Sequence, residues 1–396
     1  MTDTDWKTLE LPQHKGVPGW EFTELRNFDL AAFPKAGPST AEAEALFDAP
    51  EGAVTLRQVD AAWDRVEEAT VEGPLVMPLS QAVEQHGDLV DKHLGSVVPV
   101  DDDPFVARNA AEWEGGLFVY VPRNTTLEAP IVASAIQAEQ GAALNWRVLI
   151  VLEEGAQAEV WEQYLSSADG LFTTVVELVV GENASLRFVS GQDLDEKSWI
   201  FGTQRARVAR AGALDWVVLG FGSANGKVFQ NTILDGEGAS GKVTGAYATR
   251  GRQHLDFDTT QEHAAANCTS DLAFRGILGA RSSAVWRGMI KVDPGAQQTD
   301  AFQESRNLLL SKKAHADAIP GLEILANDVR CTHAAAIAQI DPDQVFYLRS
   351  RGLRQEAAER LVVEGFLAEL VERFEQGPVR EALAHALERR LEAVLG

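Results

Sequence analysis

The sequence predicts a mainly β chain, a parallel β-helix body between two helical ends, and three observations carry that prediction. Short strand-like stretches recur from about residue 117: LFVYV, NWRVLIVL, AEVWEQYL, FTTVVELVV, SLRFVS, LDWVVLGF, LAFRGILG and SAVWRGMIKV, each bounded by glycine, asparagine or aspartate. No helix-period segment of ten or more residues separates them, which argues against alternating strands and helices. The turns also resemble one another: measured at the alanine, they step 156, 184, 213 and 239, intervals of 28, 29 and 26 residues. A strand–turn unit repeated at that length points to a solenoid, and a parallel β-helix fits best. Later intervals break the rhythm, and Asn225-Gly226 and Asp235-Gly236 are hairpin signals. A sandwich of hairpins therefore remains the alternative.

Taken in order, the elements fall into three regions: 1–116, 117–340 and 341–396. The first reads as an acidic, mainly helical head. Ser39-Thr40 before AEAEALF looks like a capped helix start, and VTLRQVDAAWDRVEEA begins strand-like and finishes helix-like. Asp101-Asp102-Asp103-Pro104 before FVARNAAEW is a helix N-terminus with proline in the first turn. The second region is the β-helix core. The third is helical: Asp341-Pro342 opens one helix, Ala358, Val362, Phe366, Leu370 and Phe374 line a second, and Gly377-Pro378 opens a third with Val379, Leu383, Leu387, Leu391 and Leu395 at i+4 spacing.

Composition narrows the function classes. The 396 residues carry 59 acidic and 35 basic side chains, a formal charge of −24. That excess argues against nucleic acid or an anionic membrane as partner. The head holds 23 acids and 8 bases, so most of the net charge sits there. Two cysteines, Cys268 and Cys331, are too few for a disulfide scaffold or for a four-thiolate metal site built from this chain alone. The N-terminus has no basic and apolar leader and no apolar run is long enough to span a bilayer, so a soluble cytoplasmic protein is expected.

Among the motifs, Gly236-Glu-Gly-Ala-Ser-Gly241-Lys242 begins like a phosphate loop. Val243 then stands where a Ser/Thr would hold magnesium, and KVTGAYATR reads as a strand. The polar run His254, Asp256, Asp258, Glu262 and His263 offers potential ligands. His254 and Asp256 share a strand face, but nothing in the spacing forces His263 to join them. Cys331-Thr332-His333 is the other candidate: on a strand, thiol and imidazole emerge on one face about 7 Å apart. They make half of an iron or iron–sulfur site, and the competing reading is a core cysteine beside a satisfied histidine.

The stretch NLLLSKKAHADAIPGLEILANDVRCTHAAAIAQIDPDQVFYLRSRGLRQEAAERLVVEGF strongly resembles the SufB/SufD family of iron–sulfur assembly scaffolds, and NAAEWEGGLFVYVP resembles the segment that introduces that family's β-helix. SufB-like chains carry a cysteine near Ala314 and His-Glu-Ala in place of Cys-Thr-His, so the pattern is SufD-like. SufD-like chains usually continue Gly-Ala-Thr where this one has Ala334-Ala335-Ala336. The resemblance implies a right-handed parallel β-helix flanked by helical regions and a non-catalytic scaffold role. It implies a complex with SufB, met through the β-helix body, and with the ATPase SufC, met through the C-terminal helices. Isolated, the chain is expected to be able to dimerise with itself. Cys331 and His333 are then expected to offer a thiolate and an imidazole to iron or to a nascent, transient cluster shared with SufB, with Cys268 in the core. Two other classes stay open: a purely structural partner subunit without metal ligands, and a β-helix enzyme acting on polysaccharide through the carboxylates of 256–262.

Overall fold

The computed structural model describes residues 5–13, 17–66, 73–100, 103–374 and 377–395. The head contributes β1 (Val54–Val59), β2 (Ala62–Val66), β3 (Leu75–Pro78), α1 (Leu79–Gln85), α2 (Gly87–His93) and α3 (Pro104–Glu112). The body follows as β4 (Leu117–Val121), β5 (Ile131–Gln137), β6 (Ala143–Leu152), β7 (Gln157–Ser166), β8 (Leu171–Val180), β9 (Ser185–Asp193), β10 (Trp199–Val208) and β11 (Ala213–Gly220). It continues through β12 (Asn225–Leu234), β13 (Ser240–Thr249), β14 (His254–His263), β15 (Thr269–Leu278), β16 (Ser283–Val292), β17 (Thr299–Leu309), β18 (His315–Ile324) and β19 (Val329–Gln339). Odd body strands from β5 stack in one ten-stranded sheet with β1 and β2, and even ones in a nine-stranded sheet with β3. Every body strand pairs in parallel with the strand two along, so the chain coils between two facing sheets: a parallel β-solenoid, as the strand spacing predicts.

The repeat has a backbone cause. Gly155, Asn183, Ala211, Gly238 and Asn267 all take a positive φ, at 67°, 55°, 52°, 73° and 60°. Glycine and asparagine tolerate this left-handed turn best. Each turn donates its N–H to the carbonyl of the turn above: Gly155 to Glu182 at 2.8 Å, Asn183 to Arg210 at 2.9 Å, Ala211 to Glu237 at 2.9 Å and Gly238 to Ala266 at 3.0 Å. The next residue in each turn is small and buried: Ala156, Ala184, Ala239 and, in the same place, Cys268. Cys268 is therefore a core residue, its Sγ 3.2 Å from the Gly236 carbonyl. In the third turn this position is Gly212, so the stacked residue lies one before the alanine of the sequence repeat.

Inward rows of both sheets fill the solenoid with Trp146, Phe172, Phe188, Trp216, Phe257, Phe274 and Trp286. The head packs outside it. Trp20, Phe28 and Phe105 gather on Phe201, with Phe105 and Phe201 rings stacked at 4.0 Å. The fully buried Arg147–Glu177 pair closes at 2.9 Å. Glu177 also accepts the backbone N–H groups of Gly95, Val97 and Val98, at 2.8, 3.0 and 3.0 Å.

Several local expectations change. No helix forms over 39–47; the segment runs extended across the ten-stranded sheet, Leu46 N–H donating to Gln163 Oε1 at 2.8 Å. AEAEAL alternates with period two, which suits an extended segment better than a helix. The second half of VTLRQVDAAWDRVEEA forms the strand β2, paired antiparallel with β1, and the rest of it lies outside the described residues. Asp101 and Asp102 are also outside them, whereas Asp103 caps α3 by accepting from Phe105 and Val106. In the tail, α4 (Pro342–Ser350), α5 (Gln355–Val371) and α6 (Pro378–Leu395) form as predicted. The stripe of α5 is rotated: Ala358, Val363, Leu367 and Leu370 are buried and Val362 and Phe366 half-buried. Strict i+4 spacing drifts around a 3.6-residue helix, and the packed face follows the drift. Both long helices lie on the outer face of the ten-stranded sheet against Val217, Leu219, Ala246, Ala273 and Ile277. No helix among the described residues is long and apolar enough to cross a membrane.

Candidate functional site at the open end of the solenoid

β18 and β19 are the last strands of their sheets, and each leaves one edge without a partner strand among the described residues. Cys331 and His333 lie on β19. Register pairs Cys331 with Ala301 and His333 with Gln303, and those in turn continue the rows of Ser270 and Leu272. Leu272 belongs to the solenoid core, so thiol and imidazole project from the inward face of the last strand, into the mouth. Cys331 is half-buried and packs on Ile290, Val292, Ala296 and Ala301; His333 is exposed. Burial, reinforced by the Asp300 charge, raises the Cys331 pKa. A metal must displace that proton to bind the thiolate.

The rim is apolar. Leu322, Ile324, Leu325 and Ile337 are all exposed, Leu325 by 53%. An edge strand flanked by exposed aliphatics invites pairing with another chain. The floor is polar, which sequence reasoning missed. Gln303, Ser305 and Asn307, alternate residues of β17, are buried on the inward row where β15 carries Leu272, Phe274 and Gly276. The signal was available in FQESRN: a strand closed on its inner side should show an apolar period-two row, and this one shows polar residues there.

The other sequence candidates do not converge. His254 and Asp256 face outward on β14, where His254 Nδ1 lies 2.8 Å from Ser283 Oγ. Asp256 pairs with the buried Lys227 at 2.8 Å and accepts from Thr23 at 2.7 Å. His263, nine residues on, faces inward beside Ser270 Oγ at 2.8 Å, and burial pushes its pKa down to about 4. Among the described residues no three His, Cys, Asp or Glu side chains are grouped to hold a metal. Lys242 of the glycine-rich motif has a structural partner: its Nζ donates to the Arg373 carbonyl at 2.8 Å, at the end of α5, and lies 4.8 Å from the Phe374 ring centre.

Comparison with known proteins agrees with this geometry. Residues 135–366 match the core domain of the SufBD proteins of the SUF iron–sulfur cluster assembly system, and residues 59–132 match the SufBD N-terminal region. The chain is 31% identical to the iron-sulfur cluster assembly protein SufD of Bacillus subtilis, over 96% of this chain and 90% of that one. It is 28% identical to an iron-sulfur cluster assembly SufBD family protein of Staphylococcus epidermidis and 27% to one of Staphylococcus aureus, each alignment covering 93% of this chain and 84% of the relative. A solenoid with helices at its ends, an open mouth carrying the SufD-like Cys331-Thr332-His333, and matches along nearly the whole length lead to one conclusion: the chain is a SufD-like member of the SufB/SufD family of iron–sulfur cluster assembly proteins.

Proposed function

We propose that this chain is the SufD-like subunit of a cytoplasmic complex with SufB and SufC, and that it helps build nascent iron–sulfur clusters for transfer to acceptor proteins. The observation that carries the reading is the open end: two unpaired strand edges, an apolar rim, and a two-ligand half-site on the same strand. SufB covers the rim and adds its own ligands, so the cluster is cargo held across the interface. Cys331 supplies a thiolate and His333 an imidazole. Without SufB, a second copy of this chain takes the same place. The tail docks SufC, which supplies the ATPase activity; this chain contributes no catalytic residue. Support for the tail as a docking element is a groove of about 360 Å³ between α5 and α6, lined by Leu367, Val371, Leu387 and Leu391. On α4, Phe346 and Tyr347 are 70% and 56% exposed. Motion of SufC reaches the mouth through Asp341, where β19 ends and α4 begins.

Cys331→Ser and His333→Ala, made separately and purified with SufB and SufC, test the half-site. Each variant is expected to assemble cluster at least about tenfold more slowly with the complex intact. Parent-like assembly by both removes the ligand role and leaves the structural subunit, a reading that the packing of Cys331 on Ile290 and Val292 favours.

A further inference from the structure

The polar floor beneath the mouth contains one acceptor that the fold leaves free. Asn307 and Ser305 are spoken for: Asn307 Nδ2 donates to Ser305 Oγ at 3.3 Å, and Tyr247 donates its hydroxyl to Asn307 Oδ1. Gln303 differs. It is completely buried, and its Nε2 donates to the carbonyls of Gly321 at 2.9 Å and Gly288 at 3.3 Å. Only the NH2 end of an amide can satisfy two carbonyls, so these contacts fix which way the group faces. Its Oε1 then lies buried without a partner among the described residues. Gln204, Gln230 and Gln261, deeper in the coil, also keep a buried Oε1 without a partner; Gln303 is set apart by lying one strand below the open end. It lies against Gly288, where a Cβ would meet the Trp286 ring at 2.2 Å and Oε1 at 2.5 Å.

His333 stands directly above. It is the register partner of Gln303 in the next strand, on the same inward row, with the two backbones about 4.8 Å apart. An imidazole that binds a metal through one nitrogen usually gives the N–H of the other to a protein acceptor, which sets the tautomer and the ring plane. We propose that Gln303 is the positioning residue of His333: the imidazole, exposed and not hydrogen-bonded to Gln303 in this structure, turns down so that Oε1 accepts one of its N–H groups and the other ring nitrogen faces out of the mouth, toward the partner. The inference rests on the reading of His333 as a ligand and deepens it. Leu or Phe at 303, as at Leu272 and Phe274 below, would pack the interior and offer the imidazole no acceptor.

The test is NMR of the full chain with ¹⁵N-labelled histidine and no metal. The parent is expected to show an imidazole N–H resonance protected from exchange, assigned to His333 by its absence in His333→Ala. Gln303→Met, similar in volume but without the acceptor, is expected to lose the resonance or speed its exchange at least about tenfold. A parent without such a resonance overturns the proposal, as does a resonance unchanged in Gln303→Met. Should Gln303→Met not fold, the parent and His333→Ala decide alone. Zn(II) titration of the complex with SufB separates this from the wider reading. About tenfold weaker binding by Gln303→Met supports both. Unchanged Zn(II) affinity together with a lost N–H signal keeps the hydrogen bond and removes His333 as a ligand.

Discussion

The two ends of the solenoid face the same physical problem and meet it differently. A coil of parallel strands must end in two rows of unpaired N–H and C=O groups, and its interior must stop somewhere. At the N-terminal end the chain covers its own first coil. β2 and β3 run antiparallel to β1 and β4, Trp63 of β2 lies against Trp146 of the core with ring centres 6.0 Å apart, and α1 and α2 pack on Phe118, Leu149 and Val151 of the outer face. At the C-terminal end β18 and β19 stay bare, the rim is aliphatic, and the core gives way to Gln303, Ser305 and Asn307. The contrast teaches that the open end is not a defect of folding. The same chain that covers its first coil leaves the last one bare, with Cys331 and His333 at the mouth.

Substitutions break that contrast in graded steps. Phe118→Ala, at the closed end and fully buried, should cost about 4 kcal/mol of folding stability and leave association with SufB untouched. Urea unfolding and a binding titration read the two effects separately.

The interior should respond to pH with opposite signs at two places. Glu162, in an early turn, is fully buried between the Trp146 N–H at 3.2 Å and the Tyr164 hydroxyl at 2.8 Å, and burial raises its pKa to about 7. Its folded pKa exceeds the unfolded value, so its contribution is complete below pH 4.5 and is lost as pH rises toward 7. His263, nearer the open end, has a depressed pKa, so its contribution is complete above pH 6.5 and is lost as pH falls toward 4. Each effect is on the order of 3 kcal/mol across its window. Glu162→Gln should flatten the first slope and His263→Gln the second, measured as urea midpoints at constant m.

At the open end, Leu325→Lys or Ile337→Lys should weaken association with SufB at least about tenfold, close to 1.4 kcal/mol, with little change in unfolding of the isolated chain. Equal loss of folding stability would mean that the rim is part of this chain's own core. The smallest difference lies in the two helix caps. Asp103 accepts from Phe105 and Val106 at 2.8 and 3.1 Å beneath the packed head, and its replacement by Ala should cost about 1 kcal/mol. Asp341, exposed at the start of α4 with one bond of 2.9 Å, should cost less in global unfolding and act mainly on local helix fraying.

Much of the body was legible because its signals are local and repeated. Turn glycines and asparagines at intervals near 28 residues reflect a left-handed backbone position that each coil needs, and β-branched runs between them reflect strands buried on both faces. The head was least legible. Its segments fold by lying on the solenoid, so Leu46 and Phe47 take an extended path because Gln163 and Trp161 receive them. No pattern within AEAEALF states where that surface will be. Of the candidate site, spacing put Cys331 and His333 on one strand face, and the family resemblance, not the spacing, made them candidate ligands. The dispersal of His254, Asp256 and His263 to two faces, and the orphaned oxygen of Gln303, depend on coil register.

By itself, then, the sequence determined the solenoid, the helical tail and the placing of Cys331 and His333 on one strand face, since turn chemistry, strand propensity and i,i+2 geometry are properties of neighbouring residues. Only the tertiary structure decided which end of the coil is closed, which way the half-site faces, and what lies beneath it. Those depend on contacts between residues tens to hundreds of positions apart, where packing, not local preference, sets the outcome.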